Sequence, residues 1–107
     1  MINNYRAIVQ YDFRKGMESK GIEFLETHLI AKAKELGCHY VEIWQNERHP
    51  NRVDGVAVWA DLKEAKNFQS KWEKEEEELV SRYCIKAPTR EFCKLTSCYR
   101  EKPQKAA

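Results

Sequence analysis

The spacing of apolar residues changes back and forth along this chain, and that change restricts the fold more than any other feature. From Tyr5 to Phe13 every second residue is apolar or aromatic: Tyr5, Ala7, Val9, Tyr11 and Phe13. Period two is the signature of a strand with one buried face. From Met17 to Leu36 the spacing becomes three and four, through Ile22, Leu25, Leu29, Ala33 and Leu36. That stripe predicts an amphipathic helix, and Gly37 just beyond it suits the left-handed residue that closes a helix.

Period two returns over Cys38–Gln45 and Arg52–Trp59, two runs rich in β-branched and aromatic residues. Asn46 to Asn51 between them holds Pro50 and reverses the chain, so the pair reads as a hairpin. Asp61 followed by Glu64 is a capping-box pattern that opens a second helix. Its stripe is Ala65, Phe68, Trp72, Leu79 and Tyr83, with Glu75 or Glu76 where one apolar residue is missing. The run Glu73 to Glu78 reads as a solvated helix face. Pro88 ends the helical geometry, and Arg90–Tyr99 reads as the fourth strand. Residues 101–107 read as a flexible tail after a single domain over 1–100.

The order is therefore βαββαβ. Two strand–helix–strand units joined by a hairpin give an α+β, ferredoxin-like fold, a four-stranded antiparallel sheet with both helices on one face. The other face is left open. In the second strand Val41 and Ile43 share one side, and Tyr40, Glu42 and Trp44 the other. In the third, Val56 and Val58 oppose Gly55, Ala57 and Trp59. Assigning the aliphatic sets to the helices leaves Tyr40, Trp44 and Trp59 on the open face. That is too much aromatic surface to leave in water, so a second copy of the sheet is the expected cover.

Charge and composition exclude several functions. Nineteen basic residues against seventeen acidic ones leave a formal net charge of +2, too little for long-range attraction to nucleic acid. No apolar run reaches the ~20 residues that span a bilayer, and the first residues do not form a secretion signal, so a cytoplasmic location is expected. The four cysteines, Cys38, Cys84, Cys93 and Cys98, include no C-x-x-C pair and read as reduced thiols. Cys93 and Cys98, five apart in a strand, are expected on opposite faces.

Site chemistry is sparse. His28, His39 and His49 have no ligand spacing, so no metal is expected. His39, beside Tyr40 and Glu42, is the candidate for proton transfer, since an ordinary imidazole titrates near ~6.5. Tyr11, Tyr40, Glu42 and Trp44 are candidates to line a cavity. A buried Glu42 needs a cation, and Arg6 or Arg100 is the candidate. The strand–hairpin order is shared with RNA-recognition motifs. Here, however, the base-stacking positions fall on Val9, Asp54 and Val56, none of them aromatic.

Over about residues 5 to 100 the layout resembles the dimeric α/β-barrel superfamily, in particular antibiotic-biosynthesis-monooxygenase-like domains. A long first helix ends in Gly37. Val56-Ala57-Val58-Trp59-Ala60-Asp61-Leu62-Lys63-Glu64-Ala65 is similar to that family's strand ending in Trp and helix opening with Glu-Ala. The resemblance implies sheet-to-sheet homodimers and a pocket for a small apolar or aromatic molecule, with Trp59 on its wall; Trp72, which could stand in for the second-helix Trp of haem-degrading members, is a further pocket candidate. It implies either cofactor-free oxygenation, in which the substrate's own anion reacts with oxygen, or a non-catalytic binding module. Haem-degrading relatives use an Asn in the first strand and a His late in the second helix. Neither is present here, since Glu73 to Tyr83 contains no His.

Overall fold

The computed structural model describes residues 5–99. The expected tail over 101–107 and the expected Arg100 partner lie outside those residues. The elements are β1 (Tyr5–Asp12), α1 (Glu18–Phe24), a π-helical turn (Leu25–Leu29), α2 (Ile30–Glu35), β2 (Tyr40–Gln45), β3 (Arg52–Trp59), α3 (Leu62–Tyr83) and β4 (Thr89–Lys94). The strands form one antiparallel sheet in the order β2-β3-β1-β4. This is the ferredoxin-like α+β arrangement, with the helical segments on one face.

Helix ends form where the sequence places them. Asp61 Oδ1 accepts from the Glu64 amide at 2.8 Å, the Asp half of the capping box. Gly37 takes φ +87°, and its amide donates to Lys34 while that of Cys38 donates to Ala33. Those two bonds satisfy the last carbonyls of α2 in the Schellman pattern.

The helix-facing side of the sheet carries Ala7, Val9 and Tyr11 from β1, Val41 and Ile43 from β2, Val53, Ala57 and Trp59 from β3, and Phe92 from β4. The expectation for β2 holds. That for β3 is inverted: Gly55, Ala57 and Trp59 face the helices, and Val56 and Val58 lie on the open face. Distance between layers decides this, not aliphatic character. A Cβ on Gly55 would sit 3.2 Å from Leu29 Cδ2, so the helix approaches too closely for a larger side chain. Val58 is nonetheless covered. Its register partners Arg6 and Tyr40 meet above it through a 3.1 Å hydrogen bond.

The fourth strand is shorter than expected. Tyr5 pairs with Lys94 at the end of the β1–β4 ladder, and residues 95–99 are irregular. Strand alternation therefore does not reach Cys98. Cys93 and Cys98 line the same hollow beside Arg6, Tyr40 and Val58 instead of opposing each other. All four cysteines are free, and burial beside Asp12 and Glu76 pushes the Cys84 thiol up to about 11.

Gly21 on α1 has a specific reason to lack a side chain. A Cβ there would lie 2.4 Å from the Phe13 ring, which is itself 1% exposed and has nowhere to move. Gly21→Ala gains about 1 kcal/mol of helix propensity. It loses about 1–3 kcal/mol to overpacking. The expected outcome is a net loss of stability and a lower Tm. A Tm equal to or above that of the native protein would show that Phe13 relaxes freely.

Candidate functional site

Small residues create the space that the helices leave above the sheet. Ala7 and Val9 on β1, Gly55 and Ala57 on β3, and Ala65 on α3 line a cleft closed by Leu29, Phe68, Trp72 and Phe92. It is narrow, with a cavity volume of about 20 Å³, roughly the room one water molecule needs. Tyr11, Gln69 and Arg90 supply the polar side chains.

Glu76 lies beside this cleft at the α3–sheet seam and is 7% exposed. It occupies the vacancy in the helical stripe, with buried Phe68, Trp72 and Leu79 on the same face. Position on the stripe, not membership of the acidic run, decides its environment, so the expectation of a wholly solvated run fails here. A buried carboxylate requires donors. Tyr11 Oη donates to Oε2 at 2.8 Å, Trp72 Nε1 donates to the same oxygen at 3.1 Å, and the Arg90 guanidinium pairs with Oε1. Trp72 Nε1 also lies 3.3 Å from Tyr11 Oη.

The electrostatics follow from this packing. Burial, and then the Glu76 charge, raise the Tyr11 phenol well above its ordinary value of 10.0, so it stays protonated as a donor. Both Glu76 oxygens are engaged, so the carboxylate serves as an anchor and not as a free base. Arg90 has further N–H donors and remains partly exposed, with 24% side-chain accessibility. It lines both the cleft and an outer groove bordered by Lys66, Gln69, Ser70 and Glu73.

The structure divides the candidates expected from sequence. Tyr11 and Trp72 meet at the cleft. Tyr40, Glu42 and Trp44 lie on the opposite, open face, so they do not share a cavity with Tyr11. Glu42 accepts from Trp44 Nε1 at 3.4 Å, while Arg6 is bonded to Tyr40. Trp59 is fully buried in the core, with its ring centroid 5.0 Å from that of Phe68, and does not line the cleft. His39 is exposed before β2, and its amide donates to Val58. His28 packs on Phe24, and His49 sits in the hairpin turn. The helical stripe narrowed its missing apolar position to Glu75 or Glu76, whereas Arg90 and Gln69 were not singled out from sequence. The parity of Arg90 with Phe92 in β4 marks it as helix-facing. Among the described residues no cluster of three or more His, Cys, Asp or Glu side chains is placed to hold a metal ion. None of their helices is long and apolar enough to cross a membrane.

No family model and no curated protein sequence matches the chain. Solved structures do. A monooxygenase from the gene ActVA-Orf6 of Streptomyces coelicolor, in complex with the ligand nanaomycin D, superposes with a TM-score of 0.78 at 13% identity, over 92% of this chain and 93% of that one. An antibiotic biosynthesis monooxygenase shares the fold, with a TM-score of 0.73 at 9% identity, over 87% of this chain and 99% of that one. A protein of unknown function from Nitrosomonas europaea gives a TM-score of 0.78 at 14% identity, over 95% and 98% of the two chains. A dimeric ferredoxin-like protein from an uncultured marine organism gives 0.72 at 14%, over 94% of each. At such identities the likeness is one of fold.

The buried phenol has a pH consequence. A folded-state pKa raised above the unfolded value means that Tyr11 contributes its full stability below pH ~10 and loses it as pH rises further. Alkaline titration of tyrosinate absorbance should show one lagging phenol, which Tyr11→Phe removes. Tyr11→Phe should also flatten the loss of stability above pH ~10. A variant with an unchanged titration curve would place the late phenol elsewhere.

Proposed function

We propose that this protein is a homodimeric, monooxygenase-like domain that takes a small planar aromatic molecule into the cleft between α3 and the sheet. The observation that carries this reading is the cleft itself. Its walls are apolar and ring-lined, and its polar groups gather where Tyr11, Trp72 and Glu76 hold Arg90. At about 20 Å³ the cleft takes a flat ring only when its lining rings move apart, and Arg90 then fixes the ring's orientation by one oxygen. Nanaomycin D in the Streptomyces structure is consistent with a ligand of this kind.

Cofactor-free oxygenation needs little more than this. The substrate loses the proton of an acidic ring C–H to bulk water before it is enclosed, and Arg90 stabilises the negative charge on the oxygen of the resulting delocalised carbanion. Dioxygen takes four electrons, all from the substrate. One oxygen atom becomes a new carbonyl in place of two C–H bonds, and the other leaves as water. The protein binds, orients and excludes solvent. Pairing through the open face completes the domain, since Trp44 is 59% exposed and Tyr40 37%. A dimeric ferredoxin-like neighbour supports that pairing.

A second reading, a binding module without chemistry, is favoured by the narrowness of the cleft. The chain's own rings, Tyr11, Phe68, Trp72 and Phe92, already occupy much of the layer.

Titration with anthrone and with 1,4-dihydroxynaphthalene, followed by tryptophan fluorescence and an oxygen electrode, separates these readings. Saturable quenching with one dioxygen consumed per anthrone oxidised supports the oxygenase. Saturable quenching without protein-dependent oxygen uptake supports the binding module. For either reading, Trp72→Phe should remove most of the quench. Absence of quenching up to the solubility limit would sink both.

A further inference from the structure

The open face of the sheet has polarity along its strands. At one end Arg6 stands on β1 beside Val58 of β3 and Tyr40 of β2. At the other end stand Asp12 and Asp54, with Trp44 beside Asp54 on β2. Between the ends lie Ile8 and Val56, directly paired. The face thus carries Arg6 at one end, aliphatic residues in the middle, and Asp12 and Asp54 together with Arg52 at the other.

The two carboxylates are unevenly neutralised. Asp12 has two cations, Arg52 at 3.7 Å and Lys86 at 3.5 Å. Arg52 also acts on Asp54 through space, but Asp54 Oδ1 is buried and has no hydrogen-bond partner among the described residues. Burial, opposed by Arg52 and assisted by Asp12, raises the Asp54 carboxyl above its ordinary value. Arg6 makes one side-chain bond, to Tyr40, and its guanidinium has donors to spare.

We infer that the open face is self-complementary, and that in the dimer Arg6 of one protomer pairs with Asp54 of the other. This rests on the sheet-to-sheet dimer proposed above and specifies its register. A two-fold axis crossing the strands near the Ile8–Val56 pair lays the Arg6 end of one sheet over the Asp54 end of the other. Each contact then occurs twice, as an isologous interface requires. Ile8 and Val56 form the dry centre. Glu42 and Glu91 lie on the edge strands, at the rim, where water screens their like charges.

The arrangement can be tested because the pair cannot form within one chain. Arg6 is level with Val58, four residues from Asp54 along β3, or roughly 13 Å at the strand rise. The dimer dissociation constant would be measured by sedimentation for the native chain, Arg6→Glu, Asp54→Arg and the double swap, with circular dichroism and melting confirming that each is folded. Each single variant places like charges together and is expected to weaken the dimer about tenfold or more. The double swap recreates the pair in trans and should return to within about threefold of the native value. A native dimer whose double swap is no tighter than the weaker single variant would overturn this pairing and leave the dimer intact. A native chain that stays monomeric up to millimolar concentration would overturn the dimer itself, and the pairing with it. If a single variant melts before it can be weighed, Arg6→Gln with Asp54→Asn replaces the swap. Those two should then show losses that are less than additive, and strictly additive losses would also count against the pair.

Discussion

A carboxylate inside the helix–sheet layer sets the terms for the rest of this structure. Glu76 is taken out of water at the seam where α3 crosses β1 and β4, and an ionised carboxylate there is unfavourable unless its oxygens are satisfied. Its partners are drawn from three elements: Tyr11 from β1, Trp72 from α3 itself and Arg90 from β4. Holding those donors in one place orients α3 against the sheet. The same demand keeps the Tyr11 phenol protonated and points an arginine at the cleft. Packing and site chemistry are here one arrangement.

The two faces of the sheet are built for different tasks. On the helix side, Ala7, Gly55, Ala57 and Ala65 are small where the layers approach, and this leaves a cleft between large rings. On the open side the aliphatic residues sit at the centre, with unlike charges at the two ends of the strands. An apolar centre with charges beyond it is the composition of an interface, in which burial stabilises association and charge sets the register. In the proposed dimer the ligand and the partner would meet opposite faces of one sheet, and β3 would contribute to both through alternate residues.

The order and extent of the elements could be read from the chain because they depend on local geometry. A strand repeats every second residue and a helix every 3.6, so the alternation of Tyr5 to Phe13 and the stripe from Ile22 to Leu36 are visible without knowing what lies above them. The caps at Asp61 and Gly37 are equally local, each requiring a particular side chain or its absence. The fold, and the resemblance to monooxygenase-like domains, follow from that order.

Only the tertiary structure decided which face of β3 turns inward and which member of an acidic run is buried. Alternation says that Val56 and Val58 oppose Gly55, Ala57 and Trp59, but not which set meets the helices. That depends on the gap between layers, which at Gly55 admits little beyond a hydrogen. Within Glu73 to Glu78 the residue types are nearly uniform, so composition cannot single out Glu76. Tyr11, Trp72 and Arg90 do so, and they converge on it from positions up to 65 residues away in the chain. Periodicity is a property of neighbours in sequence, whereas burial of a charge is a property of neighbours in space.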